Sequence, residues 1–560
     1  MLKALASILI LSSICFGSGA TFAALARTGD FALIDAQGRF HQLSRYQHRD
    51  ALVLMSYSSA CQAMPKLMAQ YVAIQEQFNG QSVQFLLIDS ANASRESLAK
   101  QALSIPLLQD EEKLVSEALG FTHVGDVRVI NPSRLAIYYA GGLSDDVSST
   151  LDTVLTARLR NTVQHASVSD CEIEYLQREQ APDYVADVAP IIIDNCVECH
   201  RQWGAGPFAM DSHISLLGWS PMIKEVLLNK RMPPAQIDPA IGHSLNASNL
   251  DPIDVQTIVH WINAGGPRGE SEIDPLEQLE FAEEQPWLLG EPDLVVTTPT
   301  HSVPANGVID DLYEEVILPF EQDRWLKAVQ FKPTGNGTLH QLIVMVTPAD
   351  QDFWGQEKTF SNVSRRFIES YLPGEQAVAI FEADSAVFIP KGHKLAMQFQ
   401  YVGMGADVEN VTELALYFED NGDTLTERLV QAVSAPAFTL PANEEEIPME
   451  ASHRFDRDVI ITGVRARMNE RGKRMSFALE RPDGSVQALL SIPAYNYAWQ
   501  PHYLLEEPVL APAGSTVYVY GAFDNSVSNP FNPDPTKTVE SGVDAESEMF
   551  TGYFTYYHAH

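Results

Sequence analysis

The sequence predicts a multidomain chain: an α/β domain, a small all-α domain and two all-β sandwiches, in that order. Three observations predict it. A chain of 560 residues exceeds what one hydrophobic core organises, and usual domain sizes divide it into about three or four units. Strand-like and helix-like runs alternate at the start, helical spacing follows, and alternating β segments broken by Gly and Pro fill the second half. An apolar content of 45%, with 33 Gly and 33 Pro, suits a folded, loop-rich, mostly β protein.

The charge narrows the partners. There are 37 Lys and Arg against 73 Asp and Glu, a net charge of −36, so nucleic acid and anionic lipid surfaces are poor partners. The first residues read as a secretory signal peptide covering 1–23, or extending to 26. Lys3 provides a minimal positive region, residues 4–16 are apolar but short for a membrane span, and small residues offer cleavage after Ala23 or Ala26. Cys15 follows Ile14, where a lipoprotein signal wants a small residue. The expectation is an exported chain, periplasmic or secreted, with no membrane insertion.

Residues 27–165 carry the α/β pattern. Residues 51–57 (ALVLMSY) and 83–89 (VQFLLID) are buried-strand runs, and residues 62–78 between them have helical spacing. Residues 127–131 and 136–139 form a predicted hairpin around the turn Asn131-Pro132-Ser133. A strand leading to Cys61 at the opening of a helix, preceded by FALIDAQG at 31–38, resembles the thioredoxin-like fold, in particular its peroxiredoxin and redoxin branch. Thiol chemistry in such a place needs a thiolate at a helix N-terminus, where the dipole and free N–H groups stabilise the charge. Cys61 fits that expectation, with Ser58 as a candidate hydrogen-bond donor. Two positions depart from the family pattern: Met64 replaces the second cysteine of a C-x-x-C, and Gly125 stands where a cis-proline is usual.

Residues 166–183 read as a linker that contains Cys171. With Cys15 in the signal and two cysteines assigned below, Cys61 and Cys171 are left over. An oxidising compartment favours joining such a pair. Either they form a structural disulfide, or Cys61 is peroxidatic with Cys171 as its resolving thiol.

In residues 184–271, Cys196-Val197-Glu198-Cys199-His200 spells C-x-x-C-H, the attachment signature of one covalent c-type haem. Two thiols three apart can add across the porphyrin vinyl groups, and the histidine is placed to bind iron on the proximal side. No second C-x-x-C exists to complete a zinc ribbon. The order helix, motif, WGAGP (203–207), helix, RMPP (231–234) and a last helix ending WINAGG (261–266) resembles a class I-like bacterial cytochrome c. That resemblance implies a distal methionine. Met232, aimed by two prolines, is the expected ligand, with Met210, Met222 and His243 as alternatives.

Residues 272–292 are acidic, lack periodicity and read as a linker. Beyond them, β segments at 308–318, 325–331, 339–346, 395–402, 411–418 and 515–523 suit two sandwiches, 293–435 and 436–560, with the seam near 435–446. PTGNGTLHQLIV (333–344), YLPG (371–374), IPKG (389–392), QFQY (398–401), YNYAWQ (495–500), NPFNPDP (529–535) and Glu548-Met549 resemble the copper type II, ascorbate-dependent monooxygenases. This is the family of the peptidylglycine α-hydroxylating and dopamine β-monooxygenases, and it implies two jelly-roll-like sandwiches with one copper each.

One copper takes three histidines, two of them adjacent. The other takes a His-x-His pair and a methionine, donors that suit both copper oxidation states. Here His340 and Met549 survive. Gln341, Gln400, Arg467 and Asn469 occupy the other positions, so the ligand count argues against copper. The expected protein is an exported haem c redox protein that transfers electrons, leaning towards an oxidoreductase. Its monooxygenase-like module is expected to bind a substrate or a redox partner protein. The alternatives are an active oxygenase fed by the haem through a remodelled copper site, and a thiol peroxidase acting through Cys61.

Overall fold

The computed structural model describes residues 25–559 apart from 158, 160, 177–179, 203, 205, 235, 282–285, 307–308, 310–311, 335–336, 352–365, 374–377, 382–384, 420–421 and 543–545. The expected signal peptide, Trp203, Gly374 and His560 therefore lie outside the described residues.

The first domain is a nine-stranded mixed sheet. At its centre Ala51–Tyr57 is buried at every position, the mark of a strand covered on both faces. It runs parallel to Val83–Asp89 and antiparallel to Asp126–Asn131, which forms the predicted hairpin with Ala136–Gly142. Ala32–Asp35 and Phe40–Gln42 form the opening hairpin at the far edge. The helix Met64–Gln77 is held to the sheet by Tyr71, whose hydroxyl lies 2.9 and 3.0 Å from the carbonyls of Val53 and Leu86.

A helical segment follows: Tyr184–Val188 running into Ala189–Asn195, then His213–Leu228 and Pro252–Asn263. Tyr184, Ile192, Leu216, Ile223, Ile258 and Trp261 form its core. The acidic stretch expected as a linker from 272 begins inside this segment. Leu276 is 1% exposed in the same core, and Asp274 accepts hydrogen bonds from Tyr184 Oη at 2.6 Å and the His213 N–H at 2.8 Å. A few apolar residues among acids carry no period, so the sequence pattern conceals this closing piece.

The segment is clamped between neighbours. Leu228 and Val259 join the core of the first domain, and Arg95 meets the fully buried carboxylate of Asp238 at 2.7 Å. On the other side Ile237 enters the core of the last sandwich. There the Asp238 N–H donates to the Ser491 carbonyl at 2.8 Å, and the Leu245 N–H to the Leu504 carbonyl at 2.9 Å.

The rest is β. In the first sandwich one sheet contains Arg324–Pro333 and Thr412–Glu419, the other Leu339–Pro348 and His393–Tyr401, and both supply a single core. The second sandwich packs the sheet of Val459–Arg467, His502–Ala511 and Thr551–His558 against that of Gly472–Glu480 and Thr516–Phe523. The seam is corrected. Thr426–Glu427 still pairs in the first sandwich, whereas Leu429–Ser434 pairs with Thr551–His558 in the second, so the chain changes sandwich at Arg428. An uninterrupted extended run crosses the seam, and no turn residue marks it. Among the described residues no helix is long and apolar enough to cross a membrane.

Candidate redox sites

The pentapeptide Cys196–His200 leaves the end of the helix Ala189–Asn195. The Cys196 N–H donates to the Ile192 carbonyl at 2.9 Å, and the His200 N–H to the Cys196 carbonyl at 2.9 Å, so the helical winding carries through the motif. His200 is buried, and its Nδ1 lies 3.1 Å from the Phe208 carbonyl. A carbonyl only accepts, so the proton sits on Nδ1 and the Nε2 lone pair is left for a metal. Burial also pulls the His200 pKa below its ordinary value, which keeps the ring neutral near neutral pH.

The glycine-rich turn makes this geometry possible. A Cβ on Gly206 would lie 2.6 Å from His200 Nδ1, and the Gly206 N–H donates to the Cys199 carbonyl at 2.8 Å. The Phe208 ring then stacks on Trp219 at 4.3 Å.

Cys196 and Cys199 are unpaired, and burial pushes their thiols up to about 12 and about 11. Such thiols are neutral and poor metal thiolates until something else deprotonates them. Among the described residues no group of three or more His, Cys, Asp or Glu is arranged to hold a metal. Met232 is half-buried just beyond the helix His213–Leu228, with its N–H on the Val226 carbonyl at 3.1 Å. Met210 is buried and donates its N–H to the His200 carbonyl at 2.7 Å, while Met222 is exposed. His243 is exposed, and its carbonyl accepts the Glu506 N–H at 3.2 Å.

Cys61 and Cys171 form a disulfide with a Cα–Cα separation of 6.0 Å. The expected helix-opening place for Cys61 is corrected. The helix begins at Met64, with Ala63 as its N-cap, so Cys61 precedes it by a turn and is buried. Ser58 does not donate to it: the Ser58 carbonyl accepts the Cys61 N–H at 3.2 Å, and Ser58 Oγ accepts the Ala60 N–H at 3.3 Å. Gly125, in place of proline, has φ +90°, and a Cβ there would lie 2.6 Å from Leu67.

The copper-ligand positions come together in two groups. Gln341 pairs with Gln400 across neighbouring strands after a bulge that sets His340 apart. The His340 ring packs edge-on to Trp499 at 5.1 Å, burial lowers its pKa, and Gln400 Nε2 donates to Tyr497 Oη at 3.3 Å. In the second sandwich Arg467 Nε lies 3.1 Å from Met549 Sδ. Asn469 Nδ2 donates to the Ser547 carbonyl at 2.8 Å, and its N–H to Glu548 Oε2 at 2.9 Å. The one thioether left there faces a guanidinium, which repels a dication.

Two features escaped the sequence reading. Glu548 is fully buried and pushed up to about 7 by that burial, with Arg471 Nη1 3.7 Å away. At the seam, Arg428 meets Glu369 at 3.3 Å and Glu369 meets His502 at 3.2 Å. Each joins residues far apart in the chain. At the seam the sequence signal was a charged residue at an inward position of a strand, Glu369 in RFIESY.

Residues 26–137 match the family model described as the AhpC/TSA family. No curated protein sequence matches the chain. Among solved structures, a hypothetical protein of Sinorhizobium meliloti is 21% identical, over 28% of this chain and 96% of its own, with a TM-score of 0.25. The exposed lipoprotein thioredoxin Etrx1 of Streptococcus pneumoniae is 18% identical over 22% and 97%, with a TM-score of 0.20. Peroxidoxin BcpB of Mycobacterium tuberculosis is 19% identical over 24% and 93%, also with a TM-score of 0.20. The N-terminal part of the chain is a thioredoxin-like redoxin domain.

Proposed function

We propose that the chain is an exported electron-transfer protein carrying one covalent haem c, fused to a β module that binds a substrate or redox partner without copper. The observation that carries the reading is His200, its Nδ1 proton held by the Phe208 carbonyl and its Nε2 left free, beside two unpaired neutral thiols. The residues fit the group. Cys196 and Cys199 would hold it as thioethers, His200 would bind its iron, and Met232 would bind from the other side. The exposed apolar side chains Trp219, stacked on Phe208, and Met222, one helical turn further on, would offer surface for a flat apolar ligand.

Bound haem c supplies reversible one-electron transfer. The chain's own part is to fix the imidazole tautomer, to keep the thiols unionised until they are alkylated, and to exclude water from His200 by burial. The Cys61–Cys171 disulfide supports export to a periplasmic or secreted location, since such bonds persist in oxidising compartments. An oxygenase reading is not favoured, because Arg467 occupies the face of Met549 that a copper ion would need.

The test is metal content of the exported, haem-loaded protein after dialysis against a mild chelator. The expected result is about one iron per chain with copper below roughly a tenth of it. One tightly held copper per iron would overturn the copper-free reading, and absence of iron would overturn the haem reading. A second reading, thiol peroxidase chemistry at Cys61, is favoured by the reducible partner that the disulfide gives it. It predicts peroxide consumption that is lost in Cys61→Ser, and equal consumption by both proteins would remove it.

A further inference from the structure

The loop that carries Met232 is held partly by its own segment and partly by residues outside it. As the helix His213–Leu228 ends, the Arg231 and Met232 N–H groups both donate to the Val226 carbonyl, at 3.0 and 3.1 Å. Gln236 Nε2 donates to the Lys230 and Pro233 carbonyls at 3.2 and 2.8 Å, which bends the loop back on itself. Asn249 pairs with the Ile237 N–H and carbonyl at 3.1 and 2.8 Å.

The two ends of the loop reach into the redoxin domain. At the start Asn229 is buried, its Oδ1 accepts the Arg231 N–H at 3.1 Å, and its Nδ2 donates to Asp30 Oδ2 at 3.2 Å. Asp30 is fixed in turn by Gln42 Nε2 at 2.6 Å and the Ser44 N–H at 2.9 Å. At the far end Arg95 Nη1 meets the Asp238 carboxylate at 2.7 Å, while Arg95 Nε donates to Gln109 Oε1 at 2.8 Å. Both partners of each clasp are thus anchored, one in the loop and one in the redoxin domain.

These contacts have consequences for Met232. Asp238 has no exposed surface, so removing Arg95 takes the paired guanidinium from a buried carboxylate, which is strongly destabilising. Pro233 and Pro234 restrict the backbone between the clasps, so a shift at either end is carried to the methionine beside them. Groups that hold a metal ligand from behind typically change metal affinity by about 10–100-fold when they are lost.

We propose that Asp30 and Arg95 are positioning residues for Met232, so that the redoxin domain sets how firmly the distal ligand of the haem iron is held. The inference rests on the reading of Met232 as that ligand. Both residues act through the loop, Asp30 through Asn229 and Arg95 through Asp238. A loop loosened at either end leaves Met232 a weaker competitor against an outside ligand. Because a thioether raises the potential of a haem, weaker ligation also lowers it.

The test titrates imidazole into the haem-loaded, ferric full chain and follows the absorption spectrum, since imidazole competes with the distal methionine for iron. Met232→Leu sets the limit and is expected to bind imidazole about 100-fold more tightly than wild type. Arg95→Ala, and Asn229→Asp, which sets a second carboxylate against Asp30, are each expected to tighten it about ten-fold. Arg95→Lys keeps the cation and should fall between Arg95→Ala and wild type. Glu117→Gln breaks another contact between the same two domains, 2.8 Å from His260, and should bind imidazole as wild type does. Wild-type affinity in both Arg95→Ala and Asn229→Asp, with Met232→Leu tightened, would overturn the proposal alone. Wild-type affinity in Met232→Leu would overturn the distal-ligand reading and the proposal with it. Tightening in Glu117→Gln equal to that in Arg95→Ala would assign the effect to domain docking at large and also overturn it. Amide hydrogen exchange at Arg231 and Met232 in haem-free chain gives a readout without iron. It is expected to rise at least about ten-fold in Arg95→Ala and Asn229→Asp, and unchanged protection would overturn the proposal even if a variant takes up no haem.

Discussion

The chain holds two cysteine pairs, and they behave in opposite ways. Cys61 and Cys171 lie 110 residues apart and are bonded. Cys196 and Cys199 lie three apart and remain free. Proximity in sequence does not make a disulfide. Cys196 caps a helix and the winding continues to His200, so the short pair rides on helical backbone, while an extended strap delivers Cys171 to Cys61. The difference separates a free thiol pair on helical backbone from a bonded pair that ties down chain.

The largest effect that would break the comparison is on the free pair. Cys196→Ser and Cys199→Ser together are expected to cut covalently retained iron porphyrin by at least about ten-fold, read from the absorption spectrum after denaturation in pyridine. Cys61→Ser should leave it unchanged. Equal loss in both proteins would mean that the pairs are not independent.

Next comes the bonded pair. Closing a loop of 110 residues restricts the unfolded chain, so Cys61→Ser is expected to destabilise the thioredoxin-like domain by about 4–5 kcal/mol. The denaturation midpoint of that domain measures it, and wild-type protein under dithiol should shift by the same amount.

A smaller effect sharpens the free pair. With thiols pushed up to about 12 and about 11, haem-free folded protein should alkylate slowly at pH 8, and its rate should climb only above about pH 10. Rapid labelling at pH 8, equal to that of unfolded chain, would contradict the buried environment.

The smallest is a control away from either pair. Burial raises the Glu548 carboxyl to about 7 from an ordinary value of 4.5, so the folded state holds a proton that the unfolded state has lost. Its contribution to stability therefore falls as pH rises from 4.5 to about 7. Glu548→Gln should remove that slope, a change of about 1–3 kcal/mol across the window, seen in denaturation at pH 5 and pH 7. A slope that persists in the variant would assign it to another group.

Much of the first domain was legible because its pattern is local. The runs ALVLMSY and VQFLLID occupy the strands Ala51–Tyr57 and Val83–Asp89, and the expected helix 62–78 loses only two residues at its start and one at its end. The losses matter at Cys61, since a turn through Ser58 and Ala63 looks helical by composition alone. Of the candidate sites, the C-x-x-C-H motif was visible as a string. Phe208 and Gly206, which orient its histidine, were not, because their role lies in a carbonyl direction and an absent Cβ.

Residue type and spacing were enough to read the local elements, the haem-attachment candidate and the few copper donors among the expected ligand positions. Each depends on residue type and spacing along the backbone, where period and burial are linked. Three-dimensional packing was needed to join Cys61 to Cys171, to bring Leu276 into the helical core, to divide the sandwiches at Arg428 and to lay Arg467 against Met549. Those are contacts between segments far apart in the chain. They follow from how whole sheets and helices share buried surface, a sum over the fold that no short window of residues contains.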